Sequence, residues 1–175
     1  AKVVHEPGTV FQYNNAGPYL LGILVQRKTG MSLVDYLMPR LFEPLGIARP
    51  ECEKDPLGNT FGAGGLQLNV SEFAKLGLLY LQKGQWNGRQ LIPEQWVAEA
   101  GSAQILSDQG DDEIGRHYGY LFWTMPDGAF RADGKYGQYC IVLPKKNAVV
   151  AINSMQIEDE KKVLRTAVRT VLPLL

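Results

Sequence analysis

In the first half of the chain, apolar residues recur every three or four positions, which is typical of one face of an α-helix. The spacing predicts a first helix from Pro18 to Lys28, ended by Gly30. A second helix is predicted to start at Ser32, a helix-capping residue type, and a third to run from Ser71, as its cap, to Gly84. The second helix is expected to bury Leu33, Tyr36, Leu37 and Leu41.

The second half of the chain changes to short β-rich runs separated by turn-forming clusters. Asn87-Gly88 is typical of a two-residue hairpin turn, and the polar segment from Ser102 to Gly115 is predicted to be a surface loop. The predicted strands are Tyr118 to Met125, Gln138 to Leu143 and Ala148 to Asn153. A last helix from Glu158 to Leu172 is expected to bury Val163, Leu164, Ala167, Val168 and Val171. Helices, then an antiparallel sheet and a covering C-terminal helix, predict an α+β fold.

Length and charge narrow the function classes. The 175 residues favour one domain, with helices and cleft loops over about residues 1–115 and sheet strands and the final helix over about 116–175. The 18 basic residues balance the 18 acidic ones, so no net field attracts nucleic acid, and no such partner is expected. No apolar run approaches the roughly 18–20 residues of a membrane span, so no membrane-spanning segment is expected.

Histidines and cysteines are few and scattered. His5 and His117 are the two histidines of the sequence, too few for a zinc site or a Ser-His-Asp triad to be expected. Cys52 and Cys140 form no Cys-x-x-Cys pair, so both are expected to be reduced thiols. The sequence therefore predicts neither a metal nor another cofactor.

Seven short motifs carry the clearest functional signal. The first is E-P-G-T-V-F-Q-Y-N-N, a Pro-Gly turn that leads to Tyr13 and Asn15 at the start of the first helix. The others are L-L-G-I-L-V-Q-R-K-T-G-M-S, E-P-L-G-I, G-A-G-G-L, G-Y-L-F-W, A-D-G-K-Y-G-Q-Y and V-L-P-K-K-N-A-V-V-A. Each is weak alone, but in this order over nearly the whole chain they resemble the serine β-lactamase-like and penicillin-binding-protein-like hydrolases. The branch that they resemble groups class C β-lactamases with esterases and D-aminopeptidases.

This resemblance implies acyl transfer through a serine ester, on a β-lactamase/transpeptidase-like fold that is incomplete in this chain. By the same resemblance, Tyr13 would transfer protons, and Asn15 would bind the motif lysine and the amide or ester group of the substrate. A tyrosine with a pKa of ~10 is mostly protonated at pH 7. The role of Tyr13 therefore implies nearby cations that favour the phenolate, or a relay of protons to the lysine.

The third motif departs from the family pattern, because Ala132-Asp133-Gly134 stands where β-lactamases carry Lys-Thr-Gly and many relatives His-x-Gly. Gly134 would still let the strand backbone approach a substrate, and the N–H of Lys135 would be one oxyanion donor. Ala132 lacks a head group for a β-lactam carboxylate, which favours small esters or amides as substrates. The side chains of Asp133 and Lys135 are expected at a solvated strand edge, and Gly64 in a loop that borders the cleft.

The nucleophile of this family lies in an earlier Ser-x-x-Lys motif, and Ala1 lies downstream of its expected position. Five serines occur in the chain, and none has a lysine three residues later. We therefore expect a truncated portion of a serine hydrolase that is inactive alone. A non-catalytic binding module and one chain of a two-chain enzyme remain open alternatives. Surfaces exposed by truncation are expected to favour a homodimer.

Overall fold

The computed structural model describes residues 4–175, and of Asp108 the backbone alone. The chain divides into two compact units, and each is described by itself. The helical unit is Tyr13–Glu72, and the sheet unit comprises the residues up to Gln12 together with Phe73–Leu175. In the part of the chain that the structure describes, no helix is long and apolar enough to cross a membrane.

In the helical unit, α1 spans Ala16–Thr29 and starts two residues before the predicted boundary. It ends as predicted, because Gly30 adopts the left-handed conformation (φ 70°) and donates its N–H to the carbonyl of Gln26. One side of α1 remains apolar and open to solvent. Leu20, Leu21 and Leu24 are each more than half exposed.

Helix α2 spans Leu33–Leu37 and continues as a π-helical turn over Met38–Phe42. Ser32 caps it as predicted, since its Oγ accepts the N–H of Asp35 at 3.1 Å. The predicted buried positions are wrong in part: Leu33, Tyr36, Leu37 and Leu41 are only half-buried. Val34 and Phe42 are the buried residues. Within the wider π-helical turn the buried position is Phe42 rather than Leu41, a shift that a regular 3.6-residue pattern does not anticipate.

Helix α3, Val70–Leu81, begins in the helical unit and belongs to the sheet unit from Phe73 onward. Its cap is Asn69 rather than the predicted Ser71. The Asn69 side chain accepts the N–H of Glu72, and the Glu72 carboxylate accepts the N–H of Asn69 at 3.0 Å. This reciprocal capping box was visible in the sequence as Asn followed three residues later by Glu, and the neighbouring Ser71 obscured it.

In the sheet unit, the predicted Asn87-Gly88 turn is confirmed: it joins β1, Gln85–Trp86, to β2, Arg89–Gln90. Helix α4 follows over Glu94–Ala100. The main sheet has six strands in the order of the chain, and each is antiparallel to the next. They are β3 (Ile105–Asp111), β4 (Gly115–Tyr118), β5 (Trp123–Thr124), β6 (Phe130–Gly134), β7 (Gln138–Leu143) and β8 (Ala148–Ile152). The α+β class is confirmed.

Two of the strand predictions are wrong. The segment from Ser102 to Gly115 is not a loop, because β3 lies within it and pairs with β4 at the sheet edge. The segment has a polar sequence in part because β3 ends at Asp111, whose side chain forms an ion pair with Arg165. The run from Tyr118 to Met125 is two strands rather than one, since Tyr118 pairs with Trp123 across a turn in which Leu121 has φ 65°.

The last helix, α5, spans Glu160–Thr166 and continues as a π-helical turn over Ala167–Val171 and a 3₁₀ turn over Leu172–Leu174. Leu164 and Leu172 pack on the sheet in a core with Tyr139, Ile141 and Leu143. Val168 is partly buried there as predicted, whereas Val171 is 40% exposed. The prediction fails at Val171 because the π-helical turn adds a residue and moves Leu172 to the inner face.

Helix α3 packs on the sheet through Gly77. A Cβ at this position would clash with the Sγ of Cys140 and lie 2.7 Å from the Val149 side chain. Glycine is therefore required for the close approach of helix and sheet. Cys140 is buried there, and its burial raises the pKa of the thiol to about 11.

Candidate active site

The residues of the first candidate motif lie together at the start of α1. Asn15 occupies the cap position, and its carbonyl accepts the N–H of Tyr19 at 3.1 Å. Its side chain does not cap the helix. Instead, the predicted turn residue Asn14 does so, with Oδ1 accepting the N–H of Gly17 at 2.9 Å. The Asn15 amide is thus exposed and not consumed by the helix cap, and Tyr13 beside it is 49% exposed.

The loop that carries Gly64 is fastened along α1 in the same unit. Isolated antiparallel bridges Cys52↔Leu66 and Lys54↔Thr60 close the loop on itself. The Gln26 Oε1 accepts the N–H of Thr60 at 3.2 Å. Gly62 approaches α1 so closely that its Cβ would lie 3.0 Å from the carbonyl oxygen of Pro18. Gly64 itself is exposed, two residues before Leu66 at the base of this loop.

Asp55 ties the loop to α1 through a charged hydrogen bond. The Tyr19 hydroxyl donates to Asp55 Oδ2 at 2.6 Å, and the N–H groups of Leu57 and Asn59 donate to Oδ1. The Tyr19 hydrogen bond, with those of Asn59 next, lowers the pKa of Asp55 to about 2. The same bond raises the pKa of Tyr19. The carboxylate therefore stays ionised over the whole physiological range and holds the loop in one arrangement.

The residues of the other candidate motif lie together where β6 ends. Gly134 pairs with Gln138 of β7, so Lys135, Tyr136 and Gly137 form a three-residue turn. On its other side β6 pairs with β5 at Phe130 and Arg131 alone, by the registers of the described residues. Beyond Arg131, no strand in the described part of the chain pairs with the β5-facing edge of Ala132, Asp133 and Gly134. An open edge of this kind can hydrogen-bond an extended ligand.

Asp133 is exposed as a residue, but its carboxylate is more enclosed than the sequence suggests. Its side chain is only 23% exposed and forms an ion pair with Arg131, Nε to Oδ1 at 2.9 Å, on the same strand. Arg131 is 3% exposed and also donates to the carbonyl of Ile114. Burial raises the pKa of Asp133 to about 6, against the opposing effect of Arg131. No local pattern in the sequence predicts that Arg131 is buried, because the carbonyl to which it donates, that of Ile114, lies 17 residues earlier in the chain.

Lys135 fits the solvated expectation. The residue is exposed, and its Nζ lies 4.8 Å from the centre of the Tyr136 ring. Tyr136 adopts φ 67° and Gly137 φ 82°, so the turn has two successive left-handed residues. Non-glycine residues rarely adopt this conformation, which marks Tyr136 as strained.

The structure thus assembles each motif within its own unit, Tyr13 and Asn15 in the helical unit and Ala132 to Lys135 in the sheet unit. A cavity of about 450 Å³ lies in the sheet unit, lined mainly by apolar residues that include Ala129 and Leu143. It lies at the end of β6 opposite to Gly134, and no predicted site residue lines it. Among the described residues, no group of three His, Cys, Asp or Glu side chains could hold a metal ion.

A profile of the family described as Beta-lactamase matches residues 1–172. The chain belongs to this family. A curated relative, the 6-aminohexanoate-dimer hydrolase of Paenarthrobacter ureafaciens, is 29% identical over 148 residues, which are 80% of this chain and 38% of the relative. The motif-based resemblance to serine β-lactamase-like hydrolases is confirmed.

Solved structures extend the likeness to the fold. The octameric penicillin-binding protein homologue of Pyrococcus abyssi superposes with a TM-score of 0.78 at 21% identity, over 97% of this chain and 44% of that one. A β-lactamase from Mycobacterium bovis superposes with a TM-score of 0.76 at 21% identity, over 97% and 66%. The protein therefore has a β-lactamase/transpeptidase-like fold. It spans less than half the length of the curated relative.

Proposed function

We propose that this β-lactamase family chain forms part of a hydrolase that cleaves small amides or esters by acyl transfer through a serine ester. The observation that carries the proposal is the open edge of β6 from Ala132 to Gly134, which ends at the Lys135 N–H. Backbone N–H groups at such an edge are suited to bind an acyl oxygen as it becomes negative. Family membership and the 29% identical 6-aminohexanoate-dimer hydrolase support the reaction class.

Amides rank first among the substrates. The 29% identical relative is named for a dimer of 6-aminohexanoate, whose two halves an amide bond can join. Position 132 is alanine, so its methyl side chain offers neither a cation nor an imidazole to a β-lactam carboxylate. We therefore place β-lactams behind linear amides and esters.

In this proposal Tyr13 is the proton-transfer residue and Asn15 binds the substrate amide or ester group. Tyr13 would take the proton of the attacking serine as a phenolate and return it to the leaving group, or its hydroxyl would relay that proton to the motif lysine. Gly134 and Asp133 would border the acyl group, and the Lys135 N–H would stabilise the oxyanion. The exposed Asn15 side chain, which the helix cap does not use, supports its binding role. Gly64 would border the same substrate from its loop.

The nucleophile has to come from a Ser-x-x-Lys motif outside these 175 residues. Each serine side chain in the chain already takes part in a hydrogen bond. The five are Ser32 with Asp35, Ser71 with Asn69, Ser102 with Glu99, Ser107 with Gln109 and Ser154 with Tyr136 and Gly137. None has a lysine at the required spacing. The same observation favours a second candidate, a binding module or one chain of a two-chain enzyme.

The test uses this chain with an uncleaved substrate. A 6-aminohexanoate dimer is titrated into ¹⁵N-labelled protein, and we expect shifts at the amides of Tyr13, Asn15, Gly134 and Lys135. Tyr13→Phe with Asn15→Ala should weaken binding, whereas Tyr36→Phe in α2 should not. A fluorophosphonate should label no serine of this chain. Absence of shifts at these four amides would contradict the proposed site, and stoichiometric labelling of one serine would contradict the external nucleophile.

A further inference from the structure

The β6–β7 turn is held by a segment that none of the motifs includes. The backbone N–H of Tyr136 donates to Glu160 Oε1 at 2.8 Å. The Tyr136 carbonyl accepts the Ser154 hydroxyl at 2.6 Å and the N–H of Gln156 at 2.8 Å. Both backbone polar groups of one strained residue are therefore bonded to residues between β8 and the first turn of α5.

The next residue is fixed by the same segment. The Ser154 hydroxyl lies 2.9 Å from the Gly137 carbonyl. A Cβ on Gly137 would lie 2.7 Å from the Ser154 Oγ and 3.1 Å from the Val163 side chain. Glu160 is itself anchored, because its carbonyl accepts the Tyr139 hydroxyl at 2.9 Å. Ser154 and Glu160 thus contact the two residues of the turn that have positive φ, Tyr136 and Gly137.

A positive φ at a bulky residue persists only where its surroundings enforce it, and such residues concentrate at functional sites. The Lys135 N–H belongs to the peptide between Gly134 and Lys135, at the start of the turn. Because the Gly134–Gln138 pair closes the three-residue turn at both ends, the conformation of Tyr136 and Gly137 restricts that of Lys135 and with it the direction of its N–H. Oxyanion stabilisation depends on donors that are fixed before the charge develops. The hydrogen bonds at Tyr136 supply such fixation from outside the strand.

On the basis of the function proposed above, we propose that Glu160 and Ser154 are positioning residues of the candidate active site. They hold Tyr136 and Gly137 in the left-handed conformation and thereby aim the Lys135 N–H at the acyl oxygen. Neither residue touches the substrate. Both act through the backbone of the turn.

The test compares four variants of the chain by amide hydrogen exchange and by titration with methylphosphonate, a tetrahedral anion that mimics the oxyanion intermediate. Glu160→Ala and Ser154→Ala remove the two contacts. Glu160→Gln keeps an oxygen that accepts the Tyr136 N–H. Glu158→Ala removes an exposed glutamate that makes no side-chain hydrogen bond among the described residues, and it serves as the matched control.

We expect Glu160→Ala and Ser154→Ala to accelerate exchange at Tyr136 or Gly137 about tenfold, the effect of losing one hydrogen bond to a charged or buried partner. In these two variants, half of the full shift of the Lys135 amide should be reached at an about fivefold higher methylphosphonate concentration than in the parent protein. Glu160→Gln and Glu158→Ala should stay close to the parent protein in both measurements. Rescue by glutamine distinguishes positioning from a general loss of stability.

Three results would overturn the inference, and they are distinguishable. Unchanged exchange at Tyr136 in Glu160→Ala would mean that the carboxylate does not hold the turn. Faster exchange with unaltered methylphosphonate binding would mean that the turn does not aim the donor. No methylphosphonate shift at Lys135 in the parent protein would defeat the proposed function itself, and the positioning role with it.

Discussion

Arg131 and Asp133 form an ion pair on one strand, with the guanidinium almost fully buried and the carboxylate at its outer side. Removing the carboxylate should leave an uncompensated buried cation. We expect Asp133→Ala to lower the free energy of unfolding by about 3 kcal/mol in urea denaturation. Asp127→Ala, at the exposed pair with Lys145, should cost far less, because water solvates both partners. Equal costs for the two variants would contradict the burial argument.

The same carboxylate predicts an unusual pH dependence. The pKa of Asp133 rises from its ordinary value of 3.8 to about 6, so the folded protein keeps this proton where the unfolded chain has released it. In this window the folded state binds more protons, and the contribution of Asp133 to stability falls as the pH rises from about 4 through about 6. Asp133→Asn should remove this part of the dependence, measured as unfolding free energies at about pH 4.5 and about pH 7. Asp127, whose pKa is lowered by Lys145, should contribute with the opposite sign.

The link between Tyr19 and Asp55 predicts a local change in ionisation. Tyr19→Phe removes the hydrogen bond that does most to lower the pKa of Asp55. We expect the carboxyl resonance of Asp55 to titrate at a higher pH, and the amides of the loop from Cys52 to Leu66 to exchange faster. Tyr36→Phe, which alters a ring stacked with Arg40, should leave Asp55 unchanged. A titration midpoint that stays near its parent value in Tyr19→Phe would contradict the assigned cause.

The start of α3 offers a direct choice between two caps. Asn69→Ala should lower the free energy of unfolding by about 1 kcal/mol, because it leaves the Glu72 N–H without its acceptor. Ser71→Ala should change it by no more than about 0.5 kcal/mol. Thermal and urea unfolding of both variants check this order, and the reverse order would restore Ser71 as the cap.

The exposed leucines of α1 predict self-association. Leu20 and Leu24 are one helical turn apart, and with Leu21 they present an apolar surface to solvent. We expect this chain to form dimers at micromolar concentration, and Leu20→Glu with Leu24→Glu to return it to monomers in sedimentation. Leu57→Glu, at an isolated exposed leucine of the Cys52–Leu66 loop, is the control. Monomeric parent protein that binds no hydrophobic dye would contradict the prediction.

Local signals in the sequence predicted much of the fold. Gly30, Ser32 and the Asn87-Gly88 turn end a helix, cap a helix and join two strands through contacts with residues nearby in the sequence. Each of these features was predicted correctly. The errors arose where tertiary structure decides. β3 is a polar edge strand that is recognisable only from its pairing with β4. The π-helical turn after α5 places Leu172 rather than Val171 in the core.

The candidate site shows the same division. Tyr13, Asn15 and Gly134 carry motif signals in the sequence, and their roles remain predictions. Arg131, Ser154 and Glu160 carry no signal, because what matters about them is a contact with a distant part of the chain. The identity of a single residue does not reveal a contact with a distant part of the chain. The spacing of a motif does reveal functional side chains that lie on the same short segment.

The order of the strands bears on how the protein folds. Since β3 to β8 each pair with the next strand in the chain, every pairing in the sheet closes a short loop. Strand pairing in such a meander can begin at any hairpin and extend rapidly to the neighbouring strands. Phe11, by contrast, packs on Tyr118 and Trp123 from the far end of the sequence, with ring centres 5.0 Å and 5.8 Å away. The end of β6 should therefore acquire its shape early, and the segment before Tyr13 should dock in a later and slower step.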